Sequence, residues 1–197
     1  MTLANAAKNG MSALGYVVTP IVTGSSFTSS QFLSTYPAKY SVYVHSHGDL
    51  YWGSGWTWNP TNGVDSGFRE DAGSCSGNVI RASSIKRAAV PPYYLVIMST
   101  CMLGTDDIYY NQIPAAFGFP TDSSGRTYSK ASTQKQFFLG YTIHASDVDA
   151  ANFENTFWQY MVEPGYSPFW AFVQAKVWYG AAVSPNWFGS QSWNGRP

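Results

Sequence analysis

The most apolar run of the chain, residues 93–98, is introduced by Pro91 and Pro92 and halts at Ser99-Thr100-Cys101. An unbroken apolar segment of that length is too short for a buried helix, so it reads as a strand buried on both faces. Such strands belong to parallel sheets covered by helices on either side. Residues 40–44 form a second strand, which runs directly into His45-Ser46-His47-Gly48-Asp49, and residues 137–143 form a third. Leu3, Ala6, Ala7, Met11 and Leu14 recur at helical spacing and predict a helix over residues 2–16; residues 17–22 read as a strand whose Pro20 suits an edge. A helical turn over residues 31–36 is halted by Pro37. Asp149 reads as the cap of a helix over residues 150–162, and another helix, residues 168–179, follows Gly165. Helices alternating with apolar strands predict an α/β domain, a three-layer sandwich around a mainly parallel sheet.

At 197 residues the chain suits one domain, assigned to residues 1–183, with residues 184–197 as an irregular tail rich in Gly, Ser, Asn and Trp. Residues 50–89 break the pattern with Gly, Asn and Trp-rich turns, then β-prone residues at 79–82, and read as an aromatic-rich insertion, a hairpin plus loop. Eleven Lys and Arg balance eleven Asp and Glu, which leaves no basic field to hold nucleic acid or anionic lipid. Only 11% of residues are charged, against roughly a quarter in an average domain, and that balance favours an extracytoplasmic or secreted setting. Residues 1–22 lack the basic start and apolar block of a signal peptide or anchor, so no membrane insertion is expected. Two cysteines, Cys75 and Cys101, make neither a disulfide framework nor a four-ligand zinc site. A bridge between them would consume the thiol of Cys101, so bridge and nucleophile exclude each other.

In open parallel sheets ligands bind beyond the carboxyl ends of the strands, where the connecting loops converge. Here His47-Gly48 follows one strand and Cys101 follows another, so residues far apart in sequence become neighbours at one sheet edge. Attack by a thiol needs a thiolate and a proton donor for the leaving group, and a Cys with a His supplies both.

The two segments Ser41-Val42-Tyr43-Val44-His45-Ser46-His47-Gly48 and Tyr94-Leu95-Val96-Ile97-Met98-Ser99-Thr100-Cys101 resemble the paired strands of the caspase-like cysteine peptidases, the group of legumain, gingipain, clostripain and separase. In caspases the His lies about 50 residues before the Cys, comparable with the gap here. The likeness continues through Phe138-Leu139-Gly140-Tyr141-Thr142-Ile143, Asp147 and Asp149, and then residues 153–160 and 165–179. The resemblance implies a cysteine endopeptidase working through a thioester acyl-enzyme. Cys101 would attack the peptide carbonyl, His47 would protonate the leaving amine, and backbone N–H groups at Gly48 and Cys101 would hold the oxyanion. Thr100, His144 and Asp147 would form the substrate pocket. The partner is a peptide or protein, with no metal and no organic cofactor; the oligomeric state is not set by the sequence. Three departures stand out. The chain opens on a helix where the family opens on a strand. His144 occupies the place where relatives that cut after Arg or Lys carry an acid, and residues 51–58 have no counterpart.

Other readings compete. A binding domain on the same scaffold would leave the pair unused and recognise a glycan or protein through Trp52, Trp56 and Trp58; the simpler role of these rings is to cover the core as a hairpin. His45, His47 and Asp49 match the H-x-H-x-D start of metallo-hydrolases, yet Leu50 stands where a further His is usual and His144 is the one remaining imidazole. In that light His45 is a rim residue. Cys101 as an ordinary core thiol is the plainest alternative, since free cysteine is among the most buried residue types. Asp106 and Asp107 read as a solvated loop that could line a pocket, and Cys75 as a bystander in a turn.

Overall fold

A computed structural model describes residues 2–36, 41–51, 65–70, 78–87, 94–105, 112–120 and 135–197. In chain order they form α1 (Leu3–Ala13), α2 (Ser29–Thr35), β1 (Ser41–His45), β2 (Gly48–Tyr51), β3 (Asp65–Arg69), β4 (Val79–Arg81), α3 (Ala82–Arg87), β5 (Leu95–Ser99), α4 (Ile113–Ala116), β6 (Phe137–Tyr141), α5 (Asp147–Val162), α6 (Pro168–Val183) and β7 (Pro185–Gly189).

The apolar strands behave as their composition requires. β1, β5 and β6 lie side by side in parallel, and β7 closes the far side antiparallel to β6, giving the order β1-β5-β6-β7. Side chains alternate between the two faces with the strand period of two. Leu95, Ile97, Phe137, Leu139 and Trp187 point into the layer built by α1, α5 and α6. Val42, Val44, Val96, Met98, Phe138 and Phe188 enter a second core with Phe32, Ile85 and Phe117, together with Phe68 and Ile80. The fold is therefore the expected α/β sandwich, a mixed and mostly parallel sheet flanked by helices. Fully buried Phe137 stacks between Phe157 of α5 and Trp187 of β7. Burial of one such ring contributes roughly 1.5–3 kcal/mol, more than the few tenths per residue by which helix propensities differ, so packing rather than propensity holds α5 and α6 in place.

Four elements differ from the sequence reading. Residues 17–22 form no strand: Pro20 offers no N–H, and Val17, Ile21 and Val22 have no buried face, Val17 being 100% exposed. The tail is not irregular throughout, because Trp187 and Phe188 face the two opposite cores, which only a strand allows. Pro185 is the first residue of that strand, the one place within it where a missing N–H is harmless. Among its described residues the insertion holds an antiparallel sheet of three strands, β2-β3-β4, and helix α3, rather than a hairpin, and the sheet begins at Gly48, inside the His-Gly motif. Helix α5 begins at Asp147 with Ser146 as its cap, in place of Asp149. The Ser146 hydroxyl oxygen accepts from the Asp149 N–H at 3.2 Å and its proton goes to Asp149 Oδ2 at 2.6 Å. Ser146→Ala should therefore cost about 1 kcal/mol. It should read as a lower urea midpoint at unchanged m-value.

Among the described residues no helix is long and apolar enough to cross a membrane.

Candidate active site

The register between β1 and β5 pairs His45 with Ser99, so the carboxyl ends of the two strands are level. Beyond them the chains are pinned by backbone bonds. Ser46 N donates to Ser99 O at 3.3 Å, and the Ser46 hydroxyl donates to Arg69 O at 2.6 Å. Arg69 N donates to the His47 carbonyl at 2.8 Å, which fixes His47 between the main sheet and β3. Gly48 then packs against the other chain: a Cβ there would stand 2.6 Å from Cys101 O and 2.8 Å from Thr100 Cβ. Only glycine lets the two loops approach this closely.

On the cysteine side β5 stops at Ser99 and the chain turns through Cys101 to Gly104. Met102 sits in the left-handed region at φ 64°, a conformation that costs a non-glycine residue roughly 1–2 kcal/mol. Contacts further on offset that strain. Gly104 N donates to Tyr141 O at 2.7 Å, and Asn186 Nδ2 donates to Gly104 O at 2.9 Å, so the turn is fastened to β6 and β7. Half-buried Cys101 directs its thiol at Ala145 O, 3.9 Å away.

His47, Thr100, Cys101, His45 and Asp147 line one cleft at this edge. Exposed His47 enters from the solvent side and Cys101 forms part of the wall. Of the residues singled out in the sequence, His47, Gly48, Thr100, Cys101 and Asp147 are thus brought together. His144 is not among the residues lining the cleft; it is exposed on the turn between β6 and α5. No group of three or more His, Cys, Asp or Glu converges on a metal site among the described residues. Trp52, Trp56, Trp58, Cys75, Asp106 and Asp107 lie outside them.

A feature missed in the sequence lies beneath the cleft. Glu154 of α5 is fully buried and accepts from Tyr43 Oη at 2.7 Å and Tyr141 Oη at 2.6 Å. Burial pushes its carboxyl up, against the hydroxyls of Ser99, Tyr141 and Tyr43 and the field of His45, all of which pull it down. Burial likewise pushes both tyrosine hydroxyls far up, and the neighbouring carboxylate adds to it. The available signal was an acid on the inward stripe of a helix: Ala150, Phe157, Trp158 and Met161 share that face with Glu154.

The molecule is therefore an α/β domain that carries a cysteine and a histidine in one cleft at the carboxyl edge of its parallel strands. No protein-family model matches the sequence, and no curated protein matches it. Among solved structures, the complex of the Porphyromonas gingivalis RgpB pro- and mature domains is similar, with a TM-score of 0.55 at 12% identity. The match covers 97% of this chain and 42% of that one, so this chain spans less than half of its neighbour's length. The likeness is one of fold, and it agrees with the caspase-like arrangement expected from the paired strands.

Proposed function

We propose that the chain is a caspase-like cysteine peptidase in which Cys101 is the nucleophile and His47 its acid-base partner. Fold alone does not carry an activity. What supports the reading is that these two residues, distant in sequence, line the same cleft at the ends of adjacent parallel strands.

In this mechanism the Cys101 thiolate adds to the scissile carbonyl, and the carbonyl π electrons move onto oxygen. Backbone N–H groups at Gly48 and Cys101 stabilise that oxyanion. Collapse to a thioester breaks the C–N bond, and the amine leaves with the proton carried by His47. Water, deprotonated by His47, then adds to the thioester and releases the acid together with the thiol. Thr100 and Asp147 form walls for the substrate side chain.

The test is iodoacetamide labelling across a pH series, with modified cysteines mapped by mass spectrometry. Cys101 should alkylate readily near neutral pH, and His47→Ala should slow it by about tenfold or more. A folded protein whose Cys101 stays inert would end the peptidase reading and leave a binding domain on the same scaffold.

A further inference from the structure

The reaction proposed above makes no use of the outer face of helix α6. A surface helix ordinarily turns charged and polar residues to water. Here Trp170, Val173, Gln174, Val177, Trp178 and Ala181 share one face at helical spacing, and Trp170, Val177 and Trp178 are 52%, 72% and 70% exposed. Lys176 is the one charged residue of the helix. It leans off the stripe, with its Nζ over the ring of buried Phe172, 5.4 Å from the centroid.

The three large side chains leave roughly 400 Å² of mainly apolar surface in water, as much as the largest patch on an ordinary monomer. Tryptophan without charge is the composition of an interface centre, where aromatic residues are enriched and charged ones depleted. A stable interface covers roughly 800 Å² on each partner, so the stripe supplies about half of one. Asn155 and Gln159, exposed on the adjacent helix α5 and likewise uncharged, extend it on one side.

The order of residues along the stripe selects the occupant. Its positions are symmetric about the point between residues 175 and 176, so an antiparallel copy related by a two-fold axis through that point meets every position of the stripe with another. Trp170 then stands opposite Ala181 of the second copy, and Trp178 opposite its Val173. Each large ring faces a small side chain, which lets two helices approach and interdigitate. No charge opposes the approach, since the stripe carries none and the chain has a formal net charge of zero.

We propose that the outer face of α6 is a self-association surface through which two copies of the chain pair antiparallel, each burying Trp170 and Trp178 against Ala181 and Val173 of the other. Such an interface is isologous and closes at two copies. None of these residues lines the cleft, and the pairing holds whether or not Cys101 is reactive.

Sedimentation velocity of the whole chain over a concentration series should show the mass rising from one chain to two and no further. Trp178→Glu puts a charge into the centre of the contact and should weaken pairing by at least about 30-fold. Val173→Lys should do the same from the other side. Both positions lie on the outer face, so circular dichroism should show both variants folded. Mixing them should restore a dimer, because the new ammonium and carboxylate face each other across one half of the contact while the other half keeps Trp178 against Val173. A folded wild-type protein that stays single up to about 100 μM, far above the Kd expected of an interface of this size, overturns the proposal and leaves the face to a different partner. A dimer indifferent to Trp178→Glu overturns it as well, since association then uses another surface. A mixture of the two variants that stays single overturns the antiparallel pairing.

Discussion

Peptide hydrolysis should fall by at least about 10³-fold in kcat/KM when Cys101 becomes alanine, and His47→Ala should cost a comparable factor. Both residues serve the same bond-breaking step in the proposed reaction. Their effects should accordingly not multiply: the double variant should be about as impaired as the worse single one, because once either partner is gone the other has nothing left to do. A cleavable peptide drawn from a mixed library, assayed at matched protein concentration with folding checked by circular dichroism, is enough for the measurement. Cleavage that survives Cys101→Ala would mean that another group does the chemistry. Effects that multiply would mean that thiol and imidazole act on separate steps, and the acid-base role of His47 would be lost.

The second large effect concerns stability. A Cβ at Gly104 would stand 2.4 Å from both the carbonyl carbon and oxygen of Gly140 and 2.8 Å from Tyr141 N. All three are backbone atoms of a buried strand, so no flexible side chain can move aside. Gly104→Ala must therefore push the turn off β6, stretching the bond from Gly104 N to Tyr141 O and the one from Asn186 to Gly104 O. A loss of about 3 kcal/mol is expected, at the upper end for overpacking, and it should show as a large drop in the urea midpoint. Gly180→Ala is the natural comparison, since its Cβ would meet only the flexible Lys176 chain. On a helix alanine is favoured over glycine by up to about 1 kcal/mol. Equal stability of the two variants would show that Gly104 does not bear on β6 as described.

The sequence displayed β5 and β6 because strands buried on both faces are nearly continuous apolar runs, and the polar residues that follow β1 and β5 are among those lining the cleft. Pattern said less at the edges of the fold. Trp187 and Phe188 looked like part of a Gly and Ser-rich tail, since a single edge strand of five residues has too few alternations to stand out. Residues 17–22 carry β-prone side chains but pair with no strand, which local preference cannot reveal. Gly48 read as the end of a motif, whereas it also opens β2; pairing with residues 65–69 is a long-range event invisible to spacing. His144 was matched by position in a family pattern, and it stands exposed on the turn after β6. Glu154 was hidden because its burial depends on hydroxyls from Tyr43 and Tyr141, residues of two strands that helical spacing alone cannot bring to it.

His47 and Cys101 are anchored to different supports. The carbonyl of His47 is held by Arg69 of the small antiparallel sheet, whereas the turn after Cys101 is fastened to β6 and β7 of the main one. The spacing between imidazole and sulfur is thus a property of the seam between two sheets and not of either alone. A displacement of about 1 Å between reacting groups can cost roughly 10²-fold in rate. Substitutions that tilt the small sheet would then act as a throttle on turnover and, because its Phe68 and Ile80 pack into one of the two cores, would lower stability as well.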